Sequence, residues 1–425
     1  MTKLLKNKYF VLLAILLIAH IFFTFYNLEK WASFNWDQVD NAWASLRILL
    51  AHKYPLIGMV AKNNSGMYIG PLYYYLIALV YSLTHLDPIA SPILAGITRI
   101  FSFIVIVIYV KRLFNGKIAL MSAYIYTLSA YLIHWERSQW PVNFIAPLSL
   151  MILYYLFQVS QNKPKYFIHL AALIGLSFNL HFTAVFYPII LLFALPVIPF
   201  HKTTWKYIAA AVGIGILFFV PQIIYYIQKT NGLHAYSSYF QSYYHGFHAR
   251  RMLQLEHDAF IKFQSILEVS YPFIKDFVIV LVPIFIFIHY RSKQYVYAKQ
   301  LSYFIALWFF IPWIVFTTYS GELTDYYFST TLYIAIVILA YLSVWTWDRK
   351  NLLFRIAVSA IWVYYGFANI RAFANTNPGN LASDRIIAQN AVEKGKYIGF
   401  TDGDPQSYLY FYYIYIRTKQ QPYKL

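Results

Sequence analysis

The sequence contains no cysteine. Disulfide bridges and thiolate metal sites are thereby excluded, although the absence fixes no compartment. Charge is almost as scarce: Asp, Glu, Lys and Arg make up 12% of the 425 residues, against 60% that are hydrophobic. Acids are the rarer sign, 16 against 34 Lys and Arg, for a net charge of +18. So basic a balance brings nucleic acid to mind, but the placement of the charge argues otherwise. The basic residues fall in short loops between long apolar runs, the pattern of a polytopic helical membrane protein.

The basic clusters are Lys111-Arg112 with Lys117, Lys163 with Lys165, Lys202 with Lys206, Arg291 with Lys293, and Arg349-Lys350 with Arg355. The positive-inside rule puts these short loops in the cytoplasm together with the N-terminus. Parity then requires that Gly70–Leu83 not cross. At 1.5 Å per residue it reaches only ~21 Å, against a hydrocarbon core of ~30 Å. It is read as an interfacial helix. The first apolar run, Tyr9–Tyr26, is followed by Glu29-Lys30-Trp31 rather than a small-residue cleavage site, so it is read as a retained span.

The expected fold is all-α and polytopic, with about eleven transmembrane helices. They fall near 9–26, 92–110, 118–134, 141–159, 166–180, 183–200, 206–227, 273–289, 301–319, 327–345 and 352–369. The map was drawn from the basic residues alone, and it leaves Asp348 as the one cytoplasmic acid. The basic charge is thus a topology signal and a match to an anionic inner leaflet, and nucleic-acid binding is set aside. Two units are expected: a membrane domain over 1–369, with outer loops 27–91 and 228–272, and a small α+β extracytoplasmic segment over 370–425. In that segment Leu381–Val392 reads as a helix, Tyr397–Phe400 as a short strand, and Asp404-Pro405 as the start of another helix. The expected location is the cell membrane, with the C-terminus outside.

The outer segments carry the chemistry. Asp37 follows the first span and is placed to cap a helix running to about His52. Asp37 and Asp40 are three apart and share a face. A carboxylate at the lipid boundary is costly and usually functional, so Asp37 is also a candidate base; the two roles are compatible. His134–Asn143 holds Glu136-Arg137 between two tryptophans. It reads either as an aromatic belt with a surface charge pair or as a site where Arg137 grips a phosphate through its planar fork. The spans at 166–200 are short, so the turn around His181 dips below the outer surface; His181 is a core histidine or a site residue. Asp325 and Tyr326 open a later span, where the acids cap a helix or orient a substrate. Tyr236, Tyr239, Phe240, Tyr243, Tyr244 and Phe247 recur at helical spacing and are expected to lie on membrane or on other helices. His245 and His248 have a spacing a metal can use, but no local carboxylate completes it, so no metal or other cofactor is assigned. Arg250-Arg251 is a basic pair suited to lipid phosphate, or simply a solvated loop.

In order and spacing these segments resemble the GT-C membrane glycosyltransferases, in the branch of protein O-mannosyltransferases and aminoarabinose transferase-like enzymes. The resemblance runs over much of 30–200 and more loosely to about 345. It rests on Asp37-Gln38 after the first span, Gly70-Pro71-Leu72-Tyr73-Tyr74, Arg99 within a span, Leu113-Phe114-Asn115-Gly116 at the following turn, and Arg137. This chain departs from the family pattern at Gln38, where a Glu is usual. It departs again around Val142-Asn143, where an Asp often follows the arginine, and at His181, where a lysine is common. The resemblance implies a polyprenyl-phosphate-linked sugar donor met in the membrane and a lipid, glycan or protein acceptor on the outer face. It also implies catalysis by Asp37 and a substrate contact from Arg137, with Tyr73, Asn143 and His181 at family positions; the residues' own chemistry adds Asp40, Arg250, Arg251, Asp325 and Tyr326 as substrate-binding candidates. A flippase or other transporter of lipid-linked glycans, or a polymerase or ligase of them, is the alternative. A transporter calls for mid-membrane charges and paired halves, and the spans show few ionisable groups and no internal repeat.

Overall fold

The computed structural model describes residues 3–60, 65–229, 232–349 and 351–424. Among these residues the chain is helical throughout, and strand pairing is confined to two isolated bridges, Val60–Tyr68 and Tyr244–Tyr319. Seven helices are long and apolar enough to cross a bilayer: Lys8–Phe25, Ala90–Leu113, Pro141–Ser160, Lys202–Gln228, Ala298–Thr317, Asp325–Trp347 and Leu352–Ala374. An eighth candidate is the pair Gly116–Leu128 and Ala130–Arg137, bent by 65°. Ser129 makes the bend, its side chain accepting from Leu132 N–H to cap the second helix. The other three expected spans coincide with shorter apolar helices, Pro164–Phe178, Phe182–Val197 and Phe277–Tyr290.

Lys202–Gln228 and Leu352–Ala374 bury little of their surface, whereas Pro141–Ser160 and Asp325–Trp347 are buried at the centre. Helices apolar all round with exposed flanks are what a lipid environment selects.

The Leu72–Leu83 helix is too short to cross, at ~18 Å, and its sidedness explains its position. Tyr73, Tyr74, Ile77, Ala78 and Tyr81 are buried, while Leu72, Leu76, Leu79 and Leu83 form an exposed apolar stripe at helical spacing. It packs against the Trp36–Leu49 helix, as expected of an interfacial segment. Gly70 leads into it at a close approach: a Cβ there would collide with the side chain of Asn179, so only glycine lets this segment reach the turn before His181.

Three local expectations change. Asn35, not Asp37, is the N-cap of Trp36–Leu49; its N–H donates to Gln38 Oε1 at 3.1 Å. Asp37 instead occupies the first turn, where a carboxylate meets the positive end of the helix dipole. The helix also stops at Leu49, short of His52. In the tail, Leu381–Glu393 and Pro405–Thr418 are helices, the second capped by Asp404, which accepts from Ser407 N–H at 3.1 Å. The expected strand at Tyr397–Phe400 is absent, because no partner lies alongside it to complete a ladder; the segment is irregular. The tail shares a core with the first loop: Tyr408 and Phe411 pack edge-on against Trp43, and Arg385 bridges Glu29 and Asp87.

Candidate active site

A cavity of about 500 Å³ opens where the Trp36–Leu49 helix, the 58–70 loop, the turn at His181, the start of Asp325–Trp347 and the aromatic Gly232–Tyr243 helix meet. Its polar wall carries Asp37, His181, Glu322 and Thr324; Trp140, Tyr239, Tyr244, Tyr326 and Tyr327 form an aromatic wall. Met59, Val60, Met67, Ile69, Phe178 and Phe182 make the apolar end, and among the described residues no lysine or arginine lines the cavity.

Each wall has a local cause. Residues 58–60 and 65–70 run side by side, with Gly58 N–H donating to Ile69 O at 2.8 Å and Ile69 N–H to Met59 O at 3.0 Å. The second stretch is tied to the Lys202–Gln228 helix by Gln222 Nε2 donating to Tyr68 O at 3.0 Å and Tyr226 OH donating to Gly66 O at 3.2 Å. Asn64, which opens the Gly-Pro segment in the sequence, lies outside the described residues. Tyr326 is held edge-on between Trp140, at 4.7 Å between ring centres, and His181, at 5.6 Å. On the other side His245 N–H donates to Thr318 O and Ser320 N–H to Tyr243 O, which clamps the end of the aromatic helix against 318–320.

Burial sets the electrostatics. Asp37 loses hydration, and the neighbouring Asp40 carboxylate adds to the effect, so its carboxyl is pushed up to about 6. Asp40 is also raised by burial, partly offset by the Tyr74 hydroxyl that donates to it at 2.6 Å. His181 is pulled down to about 4 by burial and is neutral at physiological pH. Its Nδ1 accepts from Thr183 N–H at 3.3 Å, which leaves the proton on Nε2. The cavity therefore offers a carboxylate poised near neutrality beside a neutral imidazole donor.

Of the residues singled out in the sequence, Asp37, His181 and Tyr326 come together here. The other proposed substrate-binding residues lie outside the lining. Tyr73 is fully enclosed, its hydroxyl accepting from Gln139 Nε2 at 2.5 Å. Asn143 donates to Ser138 O at 2.7 Å. Arg250 is exposed, and Arg251 donates to Gly321 O at 3.2 Å, next to the lining residue Glu322. Arg137 is turned from the cavity: its Nη2 donates to the carbonyls of Phe23 and Tyr26, and its guanidinium lies 4.4 Å from the Trp31 ring centre. There it closes the C-terminal end of the first helix, where a cation complements free carbonyls. Glu136 and Arg137 are not a surface pair either, since successive helical residues point in different directions. Glu136 turns inward, to Arg99 at 3.8 Å.

Three features were missed. Trp140 was placed in an aromatic belt, and the Tyr239–Tyr244 stripe was assigned to membrane or to helix packing, yet both line the cavity. Lys262 was not noticed, although a lone lysine between Ile261 and Phe263 was the available signal. Its ammonium, 1% exposed, meets Asp325 at 3.2 Å and Tyr131 OH at 3.1 Å. Burial draws it below the usual lysine range, with Asp325 opposing. Asp325 begins the turn that presents Tyr326 and Tyr327, so Lys262 anchors that wall from behind. Lys262→Met is expected to destabilise the protein by about 1–3 kcal/mol, the cost of leaving a charged hydrogen-bond partner unmet, and Lys262→Arg to recover part of it. An unchanged thermal unfolding midpoint for Lys262→Met would remove this role.

The fold and the sequence features define a class. The chain is a polytopic membrane protein with the GT-C fold, like ArnT from Cupriavidus metallidurans. The structure of ArnT bound to undecaprenyl phosphate superposes with a TM-score of 0.63 at 10% identity, over 94% of this chain and 84% of that one. The oligosaccharyltransferase AglB from Archaeoglobus fulgidus, in complex with an inhibitory peptide and a dolichol-phosphate, superposes with a TM-score of 0.56 at 11% identity; 97% of this chain covers 64% of AglB. More particularly, residues 69–225 match the family described as dolichyl-phosphate-mannose-protein mannosyltransferase. That stretch includes Gly70-Pro71, Arg99, Arg137 and His181, but neither Asp37 nor Tyr326. Among the curated proteins no sequence matches the chain.

Proposed function

We propose that this chain is a membrane glycosyltransferase that moves a sugar from a polyprenyl-phosphate donor to an acceptor hydroxyl on the extracytoplasmic face, with inversion and with Asp37 as base. The observation that carries the reading is the position of Asp37: a carboxylate poised near neutrality, in a cavity large enough for a sugar and closed on one side by apolar residues. Asp37 takes the acceptor proton as the hydroxyl oxygen attacks the anomeric carbon, and the bond to the lipid phosphate breaks on the opposite side. His181 and Tyr326 face the sugar, while Asp40 and Asp325 set the surrounding walls. The departing phosphate falls to Arg251, whose hydrogen bond to Gly321 O sets it next to the lining residue Glu322, with Arg250 beside it; Arg137 has no substrate role in this reading. The polyprenyl phosphates named with ArnT and AglB support the donor class by likeness of fold.

The test is transfer by the purified protein from radiolabelled polyprenyl-phosphate sugars, run beside a vesicle assay of donor movement. A new glycosidic bond supports the reading. Donor crossing the bilayer with no bond formed would favour the transporter.

The orientation rests on the basic loops, with eleven crossings and the N-terminus inside. Cysteines at Lys165 and Lys293 should label only after cells are permeabilised, and one at Lys394 should label in intact cells. Labelling of Lys165→Cys in intact cells would reverse the map.

A further inference from the structure

At the end of the bundle where the basic loops gather, a second hollow of about 510 Å³ opens between four spans. Its walls are apolar, formed by Leu12 and Ile15 from the first span, Leu120 and Met121 from Gly116–Leu128, Trp347, and Val358. The wall hydroxyls are already used: Tyr124 donates to Trp362 O at 2.6 Å, and Ser343 donates to Leu339 O at 2.6 Å. A groove with its polar groups satisfied elsewhere offers water no partners. From Lys117 to Tyr124 it runs roughly 10 Å along the helix, so its inner part lies at hydrocarbon depth.

The mouth is charged. Lys117, 65% exposed, sits on the groove and meets Asp348 at 2.7 Å. Lys8 lies one turn before Leu12, and Arg355 one turn before Val358, each on the same helix face as the wall residue it precedes. Arg355 also donates to Trp347 O at 3.1 Å, which holds it at the mouth. Among the described residues, Lys117 thus lines the mouth beside Asp348, and Lys8 and Arg355 lie one helical turn from wall residues, an excess of positive charge over the one carboxylate. Neither the charge nor the groove takes part in the site around Asp37, which is built from other elements.

We propose that this groove binds one acyl chain of an anionic phospholipid, its phosphate resting on Lys117, Lys8 and Arg355. An uncharged alkyl chain fills the dry walls, and the surplus positive charge selects the headgroup. The polyprenyl donor is a poorer fit, because its phosphate belongs at the Asp37 cavity.

Native mass spectrometry of the delipidated full chain, titrated separately with dioleoyl phosphatidylglycerol, dioleoyl phosphatidylcholine and undecaprenyl phosphate, tests this. One equivalent of phosphatidylglycerol should be retained in preference to phosphatidylcholine. Lys117→Gln and Arg355→Gln should each weaken that retention about five-fold, the effect of one surface cation. Asp348→Asn should strengthen it, an opposite sign that general destabilisation does not produce. Met121→Trp should fill the groove and expel the lipid while sugar transfer is unchanged. If that variant does not fold, Ile15→Phe narrows the groove from its exposed edge. Equal retention of the two phospholipids, or retention unaffected by both groove substitutions, would overturn the proposal. So would displacement of phosphatidylglycerol by equimolar undecaprenyl phosphate, which would give the groove to the carrier lipid.

Discussion

Asp37→Asn is expected to lower sugar transfer by about 10²-fold or more and, in the same protein, to raise stability at neutral pH. Asparagine keeps the size of the side chain but accepts no proton, so the chemistry fails where the fold does not; Asn35 and Gln38 still begin the helix. The stability gain follows from the sign of the pKa shift. Asp37 titrates at about 6 in the fold against 3.8 as an ordinary carboxyl, because burial and Asp40 disfavour its charge. A carboxyl raised on folding contributes stability that is complete below its unfolded value and is lost as pH rises through its folded value. That window is about pH 4 to 6, and the loss is at most ~3 kcal/mol. The parent and Asp37→Asn should therefore unfold alike below about pH 4, diverge between about pH 4 and 6, and keep the full difference above pH 6, with the variant the more stable. Transfer by the parent should fall about tenfold per pH unit below pH 6 as the base becomes protonated. Thermal unfolding in detergent and transfer rates across this range check both halves. Near-parental transfer by Asp37→Asn would leave Asp37 as an acid at a helix start, and parallel unfolding curves would remove the buried-charge argument.

The sequence made legible what rests on local pattern. Apolar length located the helices long enough to span, and the short reach of Gly70–Leu83 pointed to an interfacial segment, which holds the 12-residue helix Leu72–Leu83. Asp37 was legible because an acid beside lipid has few uses. Which way a long side chain turns was not legible. Arg137 has the chemistry for phosphate, but the carbonyls at the end of the first helix, more than a hundred residues earlier, take its Nη2 and turn it from the cavity. Asp37 and Asn35 both have capping side chains, and spacing alone does not choose between them. The aromatic stripe was read correctly as one face of a helix, but which surface it met depended on the 318–320 clamp, a tertiary contact. Tyr397–Phe400 has strand-forming residues, yet a strand exists only where a neighbour pairs with it.

Arg99→Met is expected to cost about 3–5 kcal/mol, the penalty for breaking one side of a buried ion pair. Arg99 and Glu136 are 1% and 3% exposed and lie on neighbouring helices of the bundle. Glu136 also accepts from Tyr126 OH at 2.6 Å and Tyr333 OH at 2.8 Å, and Arg99 Nη1 donates to Ile133 O at 3.2 Å. Without the arginine the carboxylate keeps two hydroxyl donors and loses its nearest counter-charge, with only the more weakly acting Lys262 left. Arg99→Met with Glu136→Gln should recover most of the loss, because the double variant removes both charges of the pair; the difference from the sum of the single variants measures the coupling. The pair also bears on function. Charges among membrane helices are what a transporter uses, and the sequence alone had suggested few of them. Here both are closed in by Tyr126, Tyr333 and the His20 ring, which donates to Arg99 O at 3.2 Å, and neither lines the cavity at Asp37. A sealed pair ties helices together and moves no substrate. The double variant, once folded, should therefore transfer sugar at close to the parental rate. Parental stability for Arg99→Met would show that the pair holds nothing, and a folded double variant without transfer would bring the pair into the reaction.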